Sequence, residues 1–373
     1  MYTQKCSLNV SDDEDEKADK IEDLNGINTY EIPKPLNKNM IEPLAKKYAP
    51  IDWHTVFEEI FIVEGKLPIY IRGNHGPNII CLHGAGHSGI SFAPLALVNK
   101  KYRIISFDFR GHGSNKISNG DDLSEQNLIN DTLEVINWVS NKYNDENIVL
   151  LGHSMGGAIA AKTCCKIVKE QEQFKGFYDK LQGLIVIDVV EGTAMEALPF
   201  MESIVRNRPD SFTSLEKAIE YMYKSGTIKN VKSARISVPP LINEIVNKNG
   251  NKSFVFKANL MQSKPFWNEW FLGLTSAFLS CNFPKLLLLP GIERLDKDLT
   301  IAQMQGKFKL TVVRNVGHIM HEDNPEEINK AIEDFVVGFR IKEKVGDVEP
   351  IISWVGKDGT EKNKVLPIKY EGK

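Results

Sequence analysis

The chain has 373 residues, with 46 basic and 49 acidic side chains and a formal net charge of -3. This balance excludes a strongly basic surface, and no basic stretch alternates with stacking aromatic residues, so nucleic acid is not expected as a partner. The length suffices for one large α/β core with an insertion.

The chain lacks the sequence features of export and of membrane insertion. The first residues contain no apolar segment of the secretory type, and no later stretch is apolar enough to span a bilayer. The five cysteines are an odd number without C-x-x-C spacing, which is typical of free thiols in a reducing compartment. We therefore expect a cytoplasmic or nuclear monomer that is neither secreted nor bound to a membrane.

The two ends of the chain differ in composition from the middle. Residues 11–23 hold eight acids against two lysines without a hydrophobic period, so residues 1–42 are predicted to be a disordered acidic tail. The main domain is predicted over 43–342. Residues 343–373 form a C-terminal extension in which IISWV favours one short strand.

Within the main domain, short aliphatic runs alternate with amphipathic helical segments. VFEEIFI (56–62) and LPIYIRG (67–73) predict a hairpin. Further strands are predicted at 78–84, 102–108, 147–153, 181–190, 284–291 and 308–315, and helices at 124–143 and 325–339. This alternation predicts an α/β fold with a mostly parallel central sheet covered by helices on both faces.

Residues 192–280 interrupt the alternation. We interpret them as a partly helical lid above the carboxyl edge of the sheet, with a flexible loop at about 238–256. Trp267, Trp270 and Phe271 lie in this insertion and fit either the core of the lid or the lining of an acyl pocket.

The stretch IVLLGHSMGGAIAAK (148–162) places Ser154 between a predicted strand and a predicted helix. A serine in Gly-x-Ser-x-Gly at this junction indicates a nucleophile elbow, a strained turn that needs small neighbours. The pattern alone also fits an ordinary glycine-rich turn, so the surrounding motifs decide.

Two glycine-containing loops follow earlier strands. HGAGHSG (83–89) is suited to aim the backbone amide of Ala85 or Gly86 at an oxyanion, with the amide of Met155 as the second donor. DFRGHGSN (108–115) contains Arg110 and His112, and we interpret both as structural, because the base of such a hydrolase follows the acid in the chain.

A serine nucleophile requires a base and an acid. His318 follows the last predicted strand, which favours it as the base over His321, whose acidic neighbours suit a helix N-terminus. Either Asp188 or Asp296 fits as the acid. Asp296 has the commoner place in this order, whereas Asp188 lies in an apolar run where an unpaired carboxylate would be costly.

The histidines of the HGAGHSG loop offer a metal site as an alternative. His83 and His87 are four residues apart, but the two intervening glycines break the helical geometry that a zinc protease needs. Neither a metal nor a cofactor is expected.

Several longer segments resemble the protein phosphatase methylesterases, which are α/β-hydrolases. The similarity extends over about residues 45–340. The matching segments include LHGAGHSG (82–89), GHSMGGAIA (152–160), IDVVEGTAMEAL (187–198), RPDSFTSLEKAIEY (208–221), KSGTIKNVKSARIS (224–237), FWNEWFLGLTSAFLSC (266–281), PKLLLLPGIERLDKDLTIAQMQGKF (284–308) and GHIMHEDNPEE (317–327).

This resemblance implies an α/β-hydrolase fold and a carboxylesterase that removes the methyl ester from the C-terminal leucine of the phosphatase 2A catalytic subunit. It also implies Ser154 as nucleophile, His318 as base and Asp188 as acid. Members of this family are described as needing the folded phosphatase to arrange the triad, which implies low activity on small esters.

Two other functions compete with this interpretation. A small-ester or lipid esterase of the same fold would hydrolyse soluble esters rapidly without a protein partner. A phosphatase-binding regulator would bind through the insertion, with catalysis as a secondary activity.

Overall fold

The computed structural model describes residues 46–343 and the backbone of 352–355 and 361–364. The acidic tail predicted at 1–42 lies outside the described residues, as does most of the extension at 343–373. The strand expected at IISWV forms over Ile352–Val355 and pairs antiparallel with Glu361–Lys364.

Eight strands form one central sheet, and their bounds are β1 Glu59–Val63, β2 Leu67–Arg72, β3 Asn78–Leu82, β4 Arg103–Phe107, β5 Ile148–His153, β6 Leu181–Ile187, β9 Lys285–Leu289 and β10 Lys309–Val312. Their spatial order in the sheet is β1-β2-β4-β3-β5-β6-β9-β10. The pairs β1-β2 and β2-β4 are antiparallel, and all pairs from β4 to β10 are parallel. The predicted hairpin and the predicted mostly parallel sheet are confirmed.

The helices lie on both faces of this sheet and in the insertion. Their bounds are α1 Ala93–Val98, α2 Glu125–Lys142, α3 Met155–Lys169, α4 Lys175–Tyr178, α5 Glu191–Arg206, α6 Leu215–Lys224, α7 Val231–Ser237, α8 Trp267–Phe271, α9 Leu274–Ser280, α10 Lys297–Met304, α11 Met320–Asp323 and α12 Pro325–Gly338. Among the helices described, none has the length and apolarity to cross a membrane.

The central strands are mostly aliphatic because helices cover both of their faces. Every residue of β3, β4 and β5 is buried. Two separate hydrophobic cores result, one on each face of the sheet, and they hold the carboxyl ends of the strands in fixed positions.

The segment predicted as the insertion, residues 192–280, extends from α5 to α9. Part of it packs in a third hydrophobic core, which also includes Tyr48 and Ile319. The expectation of a flexible loop at 238–256 is wrong in part, because Ile242–Val246 (β7) and Lys252–Phe256 (β8) form an antiparallel hairpin. The Asn247 side chain accepts hydrogen bonds from two amides of the turn, and Gly250 has a φ of 79°. The polar run that suggested a loop is therefore the turn of this hairpin.

Candidate active site

Ser154 lies at a sharp turn between β5 and α3, with φ 53° and ψ -121°. Positive φ is unfavourable for a residue with a Cβ, so the turn is strained. A Cβ on Gly152 would collide with the backbone of Gly156, and a Cβ on Gly156 would collide with the carbonyl of Leu82. Only glycine fits at these two positions, which explains the spacing of the Gly-x-Ser-x-Gly motif.

His318 bridges Ser154 and Asp188. Its Nε2 lies 3.0 Å from Ser154 Oγ, and its Nδ1 lies 2.7 Å from Asp188 Oδ2. An ionised carboxylate only accepts hydrogen bonds, so Nδ1 donates to Asp188 and Nε2 is left to accept the serine proton. The Asp188 side chain is fully buried, whereas the His318 side chain is 52% exposed and open to the cavity. The three side chains have the connectivity of a nucleophile, a base and an orienting acid.

Asp296 and His321 are the alternative acid and base predicted from the sequence, and both have other partners. Asp296 accepts hydrogen bonds from the amide of Leu299, at the start of α10, and from the hydroxyl of Thr275. His321 is fully buried, stacks on Phe92, and its Nε2 lies 3.3 Å from Ser91 Oγ. Burial lowers the pKa of His321 to about 3. Neither side chain is brought to Ser154.

The loop HGAGHSG lies against the start of α3, but one of its amides is already used. Gly86 N donates to His112 Nε2 at 2.9 Å, while His112 Nδ1 donates to the carbonyl of Arg110. The expectation of Gly86 as an oxyanion donor is therefore not supported by the structure. Ala85 lines the cavity beside Ser154 and Met155, and the amide of Met155 opens α3, where backbone N–H groups have no helical acceptor.

Arg110 and His112 act within the scaffold. The Arg110 guanidinium makes two hydrogen bonds to the buried carboxylate of Asp131, at 2.6 and 2.8 Å. Burial lowers the pKa of His112 to about 4, so the ring is neutral at physiological pH and accepts the Gly86 amide. The structural interpretation of this motif agrees with the contacts.

Two residues next to the triad were not found from the sequence. Arg294 Nη1 donates to Asp188 Oδ1 at 2.6 Å, so the acid has a second partner. His153 Nε2 donates to the His318 carbonyl at 2.8 Å. Burial lowers the pKa of His153 well below its usual value, so this ring is neutral. Arg294 stands two residues before Asp296, but no local pattern distinguishes it from a surface arginine.

The insertion and the sheet edge enclose a cavity of about 730 Å³ that contains Ser154 and His318. Its lining is mostly apolar, from α5, α8 and the loop after β6. Trp267 and Trp270 are buried, and their indole N–H groups donate to Ser263 Oγ and to the Leu123 carbonyl. Together with Phe271, they belong to the buried core and also line the cavity.

The fold and the geometry at Ser154 define the class of serine hydrolases with an α/β-hydrolase fold. A family model described as "Alpha/beta hydrolase family" matches residues 79–331. Solved structures with this fold include E-2-(acetamidomethylene)succinate hydrolase, with a TM-score of 0.59, 19% identity, and coverage of 75% of this chain and 98% of that one. An M. tuberculosis esterase aligns with a TM-score of 0.56 and 17% identity, over 80% of this chain and 97% of that one.

Relatives that are similar in sequence assign the chain to a more specific family within this class. "Protein phosphatase methylesterase 1" of Bos taurus is 38% identical, over 81% of this chain and 89% of the relative. The Homo sapiens protein of that name is 38% identical, over 81% and 88%. The Caenorhabditis elegans protein called "Probable protein phosphatase methylesterase 1" is 37% identical, over 84% of each. The chain therefore belongs to the protein phosphatase methylesterase family, and it is a carboxylesterase.

Proposed function

We propose that this protein removes the methyl ester from the C-terminal leucine of the phosphatase 2A catalytic subunit, with Ser154, His318 and Asp188 as its triad. The single observation that carries the proposal is the hydrogen-bonded series from Ser154 through His318 to Asp188, in a chain whose relatives are phosphatase methylesterases. The mostly apolar cavity around Ser154 suits a leucine side chain.

In the first half of the reaction, Ser154 Oγ attacks the ester carbonyl while His318 Nε2 accepts its proton. Negative charge develops on the carbonyl oxygen, and the amides of Met155 and Ala85 stabilise it. Each fixed donor of this kind contributes about 2.7 to 4 kcal/mol to the transition state. His318 then donates the proton to the leaving methoxide, so methanol departs and the leucine carbonyl stays esterified to Ser154.

In the second half, a water molecule takes the place of methanol. His318 accepts a proton from this water as it attacks the acyl carbonyl, and the Ser154–acyl bond then breaks with return of the proton to Ser154 Oγ. The products are the free C-terminal carboxylate and methanol. Asp188 holds the imidazole in the required tautomer throughout and stabilises its protonated form.

The competing small-ester activity is favoured by one observation, the 3.0 Å contact between Ser154 and His318, which places the base within hydrogen-bond reach of the nucleophile through residues of this chain alone. The test compares demethylation of the methylated phosphatase catalytic subunit with hydrolysis of p-nitrophenyl acetate by the same preparation. We expect kcat/KM to be much larger for the phosphatase. Equal values for the two substrates would instead assign the protein to the small-ester esterases.

A further inference from the structure

Arg208 carries an unpaired positive charge into the Ser154 cavity. It follows the C-terminal end of α5 and lines the cavity together with Ser154 and His318. Among the described residues, none forms an ion pair or side-chain hydrogen bond with its guanidinium, which lies over the Phe256 ring at 4.8 Å from the centroid. Burial lowers the pKa of Arg208, which reflects the cost of a cation without a counterion.

The other charges in the cavity do not compensate Arg208. Asp188 lines the cavity, but its two oxygens are engaged by His318 and Arg294. The contact with Asp188 also neutralises the charge of Arg294. The cavity therefore keeps one net positive charge, on Arg208, within a mostly apolar lining.

The Arg208 guanidinium lies beside the loop that follows β3. Its Nη1 lies 3.4 Å from where a Cβ on Gly86 would be, next to the loop that carries the Ala85 amide. His87, on the same loop, also lines the cavity; it is 7% exposed, and its buried Nδ1 has no hydrogen-bond partner. Arg208 lowers the pKa of His87 further, after burial, so the ring is neutral and able to donate one hydrogen bond.

We infer that Arg208, with His87 beside it, forms a carboxylate-binding subsite for the C-terminal carboxylate of the hydrolysed peptide. The inference rests on the proposed function, in which a neutral ester becomes an anion. An arginine fork is suited to a carboxylate because it donates two parallel hydrogen bonds. A neutral methyl ester offers no such charge, so the subsite favours the product over the substrate. The same chemistry would also suit an acidic side chain of the bound peptide.

The experiment measures binding by calorimetry for three peptides. They are N-acetyl-Ala-Ala-Leu with a free carboxylate, the same peptide as its carboxamide, and N-acetyl-Asp-Ala-Leu carboxamide. We expect the free carboxylate to bind about tenfold or more tightly than its carboxamide, as for a charge-assisted hydrogen bond. Arg208→Gln is expected to remove this difference, whereas Arg208→Lys retains part of it.

Arg206→Gln is the matched control, because Arg206 is exposed, pairs with Glu202 and lies outside the cavity lining. It is expected to preserve the preference for the free carboxylate. If the aspartyl carboxamide binds as tightly as the free carboxylate, and does so through Arg208, the subsite is supported with an acidic side chain as its ligand.

Equal binding of the free carboxylate and both carboxamides by the wild-type protein would overturn the inference, and this result does not require any variant to fold. A preference that survives Arg208→Gln would also overturn it. Methanol release from methylated phosphatase tests the proposed function separately. If methanol is released but the free carboxylate is not preferred in binding, only the present inference is contradicted. If the free carboxylate is preferred but no methanol is released, only the proposed function is contradicted.

Discussion

Ser154 and Asp188 share an unusual backbone conformation, with φ values of 53° and 50°. Strain of this kind costs on the order of 1 to 3 kcal/mol per residue and persists only where the surrounding structure fixes it. The two residues follow the neighbouring parallel strands β5 and β6. The turns therefore direct both side chains to the same edge of the sheet, where His318 joins them.

The assignment of Asp188 as the acid can be tested by replacing one oxygen atom of its carboxylate. Asp188→Asn keeps the shape of the side chain but favours the wrong imidazole tautomer, so we expect kcat to fall by about 10⁴. Asp296→Asn is the matched control, because asparagine also caps a helix and Asp296 caps α10. It should keep kcat within about twofold. Demethylation rates that fall equally in the two variants would contradict the assignment.

Arg294 is expected to act through Asp188 as a positioning residue. Arg294→Met leaves Asp188 Oδ1 without its guanidinium partner, so the carboxylate is held less firmly against His318. Small misplacements of this kind cost about ten- to a hundredfold in kcat/KM. Arg294→Lys should restore part of the loss. Arg314→Met at an exposed position is the control, and a similar loss there would show that Arg294 has no specific role.

At the level of elements, Glu322 joins the insertion to the segment that carries His318. Ser233 Oγ of α7 donates to the Glu322 carbonyl, and Ser237 of the same helix contacts the Glu322 carboxyl group. Glu322 is fully buried, and burial raises its pKa well above its usual value. The protonated carboxyl group is therefore the form that fits the fold.

This raised pKa predicts a pH dependence of stability. The folded state holds a proton that the unfolded state releases above pH about 4.5, so the contribution of Glu322 is largest in acid and is lost as the pH rises. Glu322→Gln removes this dependence. We expect its free energy of unfolding, relative to wild type, to increase between pH 5 and pH 8. Denaturant titrations at both pH values measure it, and a relative stability that is flat or decreases would contradict the account. The exposed Glu326→Gln is the control.

Lys162 joins the sheet-covering helix α3 to the lid helix α8. Its ammonium group contacts Glu125 and donates to the carbonyls of Glu269 and Leu272, while the side chain is 8% exposed. Lys162→Met leaves these acceptors without a donor, so we expect a loss of about 3 to 5 kcal/mol in stability. Lys166→Met, in the same helix but in a more exposed pair with Glu170, should cost less than about 1 kcal/mol. Thermal unfolding of both variants measures the two losses of stability, and equal losses would contradict the role given to Lys162.

The elements that sequence could predict are those with a local signal. The aliphatic runs of β3, β5 and β6 predict buried strands, because burial on both faces restricts the residue types that fit. The glycines around Ser154 predict a tight turn, because only small residues fit there. The hairpin β7-β8 was harder to predict, since β7 is mostly exposed, β8 is mostly half-buried and the turn is a polar run. Arg208, Arg294 and His153 acquire their contacts only after distant segments meet, so no spacing along the chain identifies them.

At the level of the whole molecule, the order of strands explains why Asp188, and not Asp296, contacts His318. Asp188 follows β6 and Asp296 follows β9, and β6 lies between β5 and β9 in the sheet. The end of β6 is therefore closer to Ser154 at the end of β5. From the sequence alone both carboxylates fitted, and the similarity to the phosphatase methylesterases favoured Asp188. The contact with His318 gives this preference a geometric reason.

The central claim is that Ser154 is the nucleophile that demethylates the phosphatase 2A catalytic subunit. Its most direct measurement is methanol release from the methylated subunit by wild type and by Ser154→Ala, with both proteins shown to unfold at the same temperature. We expect stoichiometric methanol release by wild type and a loss of at least about 10³-fold in Ser154→Ala. Methanol release by Ser154→Ala at the wild-type rate would contradict the account.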